Sequence, residues 1–151
     1  MATTIGTTEN TLEELVTSLI SLEYDAIAAY DSTVDRLDNN DFKSKIAEFK
    51  QDHDKHLKDL KQLASTLGVN PPEQGSSAKQ MLTSGKVAIA GMMGDKSILK
   101  AMKTNEDDTV TAYERAVEHK ATTDEARGVF EQGLKDERRH REWMQTTFEK
   151  L

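Results

Sequence analysis

Six glutamate and histidine residues interrupt four otherwise apolar helical patterns. Two of the patterns carry a single glutamate, and the other two carry a pair spaced i, i+3 that ends in histidine, within HDKH and ERRH. The six residues are Glu23, His53, His56, Glu106, Glu137 and His140. Carboxylates and imidazoles are ligands of iron, manganese and zinc, and residues spaced i, i+3 lie on one face of a helix. The pattern therefore indicates a metal site built from several helices, and geometry alone does not choose among these metals.

The composition excludes several other kinds of site and partner. The 151-residue chain has no cysteine, which removes disulfides, thiolate nucleophiles, iron–sulfur clusters and rubredoxin-type iron. Its formal net charge of -7 disfavours nucleic acid and anionic lipid surfaces. No apolar stretch approaches the ~20 residues of a membrane span, and the first residues lack the pattern of a signal peptide. We therefore expect a cytoplasmic protein that binds neither nucleic acid nor a membrane.

Helical periodicity occupies most of the chain, and strand-like alternation is nearly absent, so the sequence predicts an all-α fold. A single domain over residues 1–151 is expected from the length. The four predicted helices cover about 10–38, 41–67, 95–120 and 122–150. Short turns make the first and second helices antiparallel neighbours, and likewise the third and fourth. The fold class is thus a four-helix bundle with a long crossover between the second and third helices.

Local signals mark the ends of these helices. Capping-box spacing predicts that the first helix starts near Asn10, with Asn10 as its cap, and that the fourth starts at Thr122 or Thr123. Gly68 is the predicted end of the second helix. The crossover is predicted over 68–94, with a short apolar helix at 78–92.

The six candidate residues fall at one level of the predicted bundle. Each lies about 13 to 19 residues from the turn of its own helix pair, and a helix rises ~1.5 Å per residue. An internal repeat supports this, because SLEYDAIAAYDSTV at 21–34 aligns with TNEDDTVTAYERAV at 104–117. Unpaired buried charges are unfavourable, so six of them at one level need a common partner. The alternative is a metal-free bundle with an internal hydrogen-bonded polar layer.

This plan resembles the ferritin-like superfamily, which includes bacterioferritins and rubrerythrins. The resemblance covers about Leu12 to Phe148 and rests on the lone glutamates, the pairs ending in histidine, the tyrosines Tyr30 and Tyr113 two turns after each lone glutamate, and the crossover. It implies a diiron-type centre, with iron as the expected metal. The ligands that it implies are Glu23, His56, Glu106, Glu137 and His140.

The chain departs from the family pattern at His53. The family usually has a glutamate at this position that bridges two metals, so an imidazole argues against a symmetric di-iron centre. We keep His53 in the predicted set as an extra terminal ligand. Asp52 could replace it through the spacing Asp52-x-x-x-His56, although it lies about 100° away from the apolar stripe. Tyr30 and Tyr113 either donate hydrogen bonds to ligand carboxylates or fill the core.

Two functions follow from these residues. The resemblance implies oxidation of Fe(II) or reduction of peroxide, with metal ions and oxygen or peroxide as partners; in this reading Glu23 and Glu106 are terminal ligands and Glu137 is the bridge. The alternative is a non-catalytic metal-binding or stress-associated bundle that one ion braces and that acts through an interaction surface. The sequence HDKH, with His53 in place of the family's glutamate, favours the non-catalytic alternative. Six convergent ligands favour the enzyme. The electron donor and any assembly into a homo-oligomer stay open.

Overall fold

The computed structural model describes residues 2–73, 89 and 91–151. Within this part the chain forms four long helices and no strand, which confirms the predicted all-α four-helix fold. The helices are α1 (Leu12–Arg36), α2 (Asn40–Thr66), α3 (Asp95–Glu118) and α4 (Asp124–Glu149). None of these four is long and apolar enough to cross a membrane. Most of the short apolar helix predicted at 78–92 lies outside the described residues.

Side-chain caps begin α1 and α4, at another residue than expected in α1 and at one of the two expected residues in α4. The predicted cap at Asn10 is wrong, because Thr11 caps α1 and its hydroxyl accepts a hydrogen bond from the backbone N–H of Glu14. At α4 the cap is Thr123, whose hydroxyl accepts from the N–H of Ala126. Both caps satisfy one of the backbone donors that the first turn of a helix leaves unpaired.

The end of α2 follows the prediction. Gly68 comes directly after Leu67, the C-cap residue of α2. Its φ of 73° is a left-handed conformation that glycine adopts without strain. Its N–H donates to the carbonyl of Ser65, and the N–H of Val69 donates to that of Ala64. These two bonds form a Schellman motif, which satisfies carbonyls that the last turn would otherwise leave free.

The four helices surround one core in a fixed order. α1 packs against α2 and α3, and α4 also packs against α2 and α3. His119 at the end of α3 donates to the carbonyl of Glu9 before α1, at 2.9 Å, and Asp95 at the start of α3 accepts from the N–H of Asp38 after α1, at 2.8 Å. α1 and α3 are therefore antiparallel, so α2 and α3 run in the same direction. The crossover thus joins opposite ends of the bundle.

Apolar side chains fill both ends of the core and leave a polar layer between them. The end near the α1–α2 turn contains Leu37, Ile46, Leu99 and Met144, all buried. The other end contains Leu15, Leu60, Ala116 and Phe130, also buried. The layer in the middle is where the six candidate residues lie, each at most 4% exposed.

Candidate metal centre

All four helices contribute to the buried polar layer, and the structure brings the six predicted side chains together there. They form two overlapping groups, in each of which one potential ligand atom per residue lies within 4.8 Å of the others. The first, called the Glu23 group, consists of Glu23, His53, His56 and Glu137. The second, called the Glu106 group, consists of His53, Glu106, Glu137 and His140. His53 and Glu137 therefore belong to both groups.

The Glu23 group is closely packed around two imidazole nitrogens. Nδ1 of His53 lies 2.7 Å from Oε2 of Glu23 and 3.4 Å from Oε1 of Glu137. Nδ1 of His56 lies 3.4 Å from Oε1 of Glu23 and 3.4 Å from the same Glu137 oxygen. Both glutamates thus turn an oxygen toward both histidines.

The Glu106 group is looser around its histidines. Nε2 of His53 lies 3.9 Å from Oε1 of Glu106, and Nδ1 of His140 lies 3.6 Å from Oε2 of Glu137. The hydroxyl of Thr109 lies 2.9 Å from Oε2 of Glu106 and 3.0 Å from Oε2 of Glu137. This hydroxyl connects the two carboxyl groups and was not predicted as part of the site.

The two tyrosines at equivalent positions of the internal repeat connect its halves. Tyr113 on α3 donates to Oε1 of Glu23 on α1 at 2.7 Å, and Tyr30 on α1 donates to Oε1 of Glu106 on α3. Burial raises the pKa of both hydroxyls well above the ordinary value, and the nearby carboxylates raise it further, so both remain neutral donors. The tyrosines therefore fill the core and also orient the lone glutamates.

Two aspartates hold the paired histidines from outside the layer. Asp136 Oδ2 lies 2.8 Å from Nε2 of His56, and Asp52 Oδ2 lies 2.8 Å from Nε2 of His140. A carboxylate on one ring nitrogen fixes the ring, here with Nδ1 facing the cluster, as is usual for metal-binding histidines. Asp52 is thus bonded to His140 and does not take the place of His53.

Sequence reasoning missed the role of Asp136, although a signal was present. Asp52 and Asp136 each directly precede an i, i+3 pair, in DHDKH and DERRH. The internal repeat therefore places them at equivalent positions. Each supports the histidine of the other helix, which the pattern within one helix does not reveal.

The buried carboxylates and imidazoles of the layer shift one another's pKa values. Burial alone would raise the pKa of Glu23, but the imidazoles of His53 and His56 lower it, and His53 similarly holds the pKa of Glu137 well below its usual value. Burial and the charge of Glu137 raise the pKa of Glu106 well above its ordinary value. Burial opposes protonation of the imidazoles, yet nearby carboxylates raise the pKa of His53 and raise that of His56 to about 12. The imidazoles and carboxylates thus favour each other's charged forms at Glu23, Glu137, His53 and His56, whereas Glu106 is shifted toward its neutral form.

Three buried atoms in the described part of the chain make no hydrogen bond, and all three belong to this layer. They are Nε2 of His53, Nδ1 of His56 and Oε1 of Glu137. Buried polar atoms are nearly always paired, because desolvation without a partner is unfavourable. All three are nitrogen or oxygen atoms of residues in the two groups, so the donor set fits a divalent transition-metal ion.

Comparison with known proteins assigns a family but no activity. Residues 8–119 match the family described as Domain of unknown function (DUF2383), and since this is about three quarters of the sequence, the chain belongs to that family. The matched range includes α1, α2 and α3, whereas Glu137 and His140 lie beyond it. None of the curated proteins matches the chain.

A solved structure has a similar fold. It is a hypothetical protein from Pyrococcus furiosus, with a TM-score of 0.69 and 19% sequence identity. The similarity covers 92% of this chain and 89% of that chain. At this identity the likeness shows the fold alone.

Proposed function

We propose that the six residues form a carboxylate–histidine metal centre, and that the protein is a ferritin-like oxidoreductase that oxidises Fe(II) or reduces peroxide. The observation that carries this proposal is the convergence of three glutamates and three histidines from four helices into two overlapping ligand groups. The unpaired ligand atoms and the aspartates behind two of the histidines support it. Iron is the metal that the resemblance favours, and manganese and zinc accept the same ligands.

The chain offers distinct ligands for two positions. Glu23 and His56 would hold an ion in the Glu23 group, Glu106 and His140 would hold one in the Glu106 group, and Glu137 is shared. Bound iron would supply one-electron redox chemistry toward oxygen or peroxide. The protein itself orients the carboxylates through tyrosine hydroxyls and surrounds the layer with apolar side chains that exclude water.

His53 makes the two positions unequal. A neutral imidazole has one nitrogen lone pair, so it can serve as a ligand in only one group at a time. Nδ1 faces the closely packed Glu23 group, and Nε2 is 3.9 Å from the nearest Glu106 oxygen. We therefore assign His53 to the Glu23 group, which then has four protein ligands, while the Glu106 group keeps three.

This asymmetry also favours a second candidate, a non-catalytic bundle braced by one ion. An ion in the Glu23 group would contact residues from α1, α2 and α4. Carboxylate bridges offset the repulsion between two neighbouring cations, and His53 stands where the ferritin-like pattern has one of those bridges. A protein that binds one ion tightly and does not oxidise Fe(II) would match this candidate.

Aerobic oxidation of Fe(II) tests the proposal. We expect purified protein to form Fe(III) faster than buffer alone, and Glu137→Gln to abolish this excess because it removes the shared ligand. Glu131→Gln, on the exposed face of the same helix, is the matched control and should oxidise as wild type does. If wild-type protein binds metal but Fe(II) is oxidised only at the buffer rate, the protein is not an Fe(II) oxidase and the second candidate, the non-catalytic bundle, is favoured. An excess rate that survives Glu137→Gln would contradict the site.

A further inference from the structure

One arginine on the surface of α4 joins the two aspartates that support the histidines. Nη2 of Arg139 donates to Oδ2 of Asp52 on α2 at 2.6 Å and to Oδ1 of Asp136 on its own helix at 3.3 Å. Its guanidinium carbon also lies 5.5 Å from the centre of the Phe49 ring. Arg139 is therefore fixed from three sides although its side chain is 47% exposed.

These contacts lead from Arg139 into both ligand groups. Asp136 bonds Nε2 of His56, and Asp52 bonds Nε2 of His140, each at 2.8 Å. Phe49 in turn stacks on the His140 ring, with 4.2 Å between ring centres. The guanidinium is thus two hydrogen bonds away from one histidine of the Glu23 group and from one histidine of the Glu106 group.

We infer that Arg139 is a positioning residue that holds both of these imidazoles in the orientation for metal binding. The inference rests on the proposed metal centre. The two N–H bonds of Nη2 are fixed in the guanidinium plane, so this one nitrogen can hold two carboxylates on different helices relative to each other. Without Arg139, Asp52 loses this partner and Asp136 keeps the amide of Gln132 at 3.3 Å, so both carboxylates direct Nδ1 of their imidazoles into the layer less firmly.

Such a role differs measurably from that of an ordinary surface ion pair. Pairs between exposed groups contribute little to stability, so loss of Arg139 should leave the unfolding of the metal-free protein nearly unchanged. Loss of a residue behind a metal ligand instead lowers metal affinity, by about 10- to 100-fold. A variant that loses metal affinity but keeps its stability to unfolding therefore identifies a positioning residue.

The test compares neighbouring arginines of α4. Arg138→Gln is the matched control, because Arg138 is exposed and pairs at 3.0 Å with Glu114, away from the layer. In titrations with Co²⁺ followed by its visible absorption, we expect Arg139→Gln to weaken binding about 10- to 100-fold and to alter the spectrum. Arg138→Gln should bind as wild type does. Arg139→Lys keeps the charge but not the planar N–H geometry, and should recover only part of the affinity.

A second measurement does not depend on metal. In the metal-free protein, NMR of the ring Nε2–H protons of His56 and His140 reports their hydrogen bonds to the aspartates. We expect Arg139→Gln to accelerate solvent exchange of both protons, and Arg138→Gln to accelerate neither. Unchanged exchange at either histidine overturns the inference, as does Co²⁺ affinity equal to that of Arg138→Gln. If wild type binds no Co²⁺, the proposed centre fails, while the exchange measurement still decides whether Arg139 positions the two rings.

Discussion

Tyr113 on α3 donates a hydrogen bond of 2.7 Å to Glu23 on α1, and so connects the two halves of the internal repeat. The reciprocal pair, Tyr30 and Glu106, makes the same connection in the opposite direction. Each lone glutamate is therefore oriented by the tyrosine of the other half. This relationship gives a structural role to the tyrosine that lies two turns after each glutamate of the repeat, and it makes the packing around the tyrosines part of the site.

Replacing Gly133 by alanine should disturb this packing. A Cβ at Gly133 would lie 2.6 Å from Cε1 and 2.8 Å from Cζ of the Tyr113 ring, closer than side chains approach. Because Tyr113 is buried, the ring has to shift, and we expect a loss of about 1–3 kcal/mol in the free energy of unfolding. Urea unfolding of the metal-free variant measures this.

Gly128→Ala on the same helix is the control. Nothing lies within 4 Å of a Cβ built there, so the substitution should follow helix propensity alone and stabilise the protein by about 0.5–1 kcal/mol. Equal effects of the two substitutions would show that the contact with Tyr113 is not what constrains Gly133.

His140→Ala should remove most of the metal bound in the Glu106 group. The imidazole is fully buried, and no other histidine in the described residues faces Glu106 from α4. The stoichiometry is measured by equilibrium dialysis against Mn²⁺ in the His53→Glu background, in which the Glu106 group is expected to be filled. His119→Ala in the same background is the control, because His119 bonds the Glu9 carbonyl outside the layer. Unchanged metal content on adding His140→Ala to His53→Glu would refute its assignment as a ligand.

His53→Glu should restore a bridging carboxylate between the two groups. In wild type we expect one ion to bind tightly and a second to bind weakly or not at all, since less negative charge is available to hold two cations ~3.5 to 4 Å apart. The variant should bind the second ion more tightly and oxidise Fe(II) faster. Calorimetric titration with Mn²⁺ resolves the two steps. Two equal sites in wild type that His53→Glu leaves unchanged would place His53 outside the centre.

Metal binding should stabilise the fold. An ion that binds only the folded protein contributes about 2.7 kcal/mol at a free concentration 100 times its Kd. Thermal unfolding with Mn²⁺ should therefore occur at a higher Tm than with a chelator, and Glu137→Gln should lose most of this difference. A Tm that does not respond to Mn²⁺ in wild type would mean that no ion bridges the helices.

The sequence predicted the helices and the level of the polar layer well, because both depend on periodicity within single helices. Glu23 and Glu106 could be placed at one height from the repeat alone. Helix starts were less accurate at α1, where Asn10 and Thr11 are adjacent residues of similar capping strength and only the backbone decides between them. The short crossover helix stays a prediction.

The hydrogen bonds that hold the histidines from outside the layer could not be predicted, because they depend on how α2 and α4 pack against each other. Asp52 lies off the apolar stripe of α2 and reaches His140 only across the helix interface. DERRHRE, which contains Asp136 and Arg139, has the composition of a solvated charge run. Its side chains acquire distinct roles only when α2 is beside them. Whether Tyr30 and Tyr113 donate hydrogen bonds to ligand carboxylates also could not be decided from the sequence, because a buried tyrosine fills the core whether or not its hydroxyl has a partner.

Anomalous diffraction from crystals loaded with Mn²⁺ or Fe²⁺ tests the metal centre most directly. We predict an anomalous peak in the buried layer, bonded to Glu23, His53, His56 and Glu137 at about 2.0 to 2.3 Å, with a weaker peak or none between Glu106 and His140. An anomalous map without any peak in this layer, from crystals that hold the metal only at surface carboxylates, would contradict the proposal that these six residues bind metal.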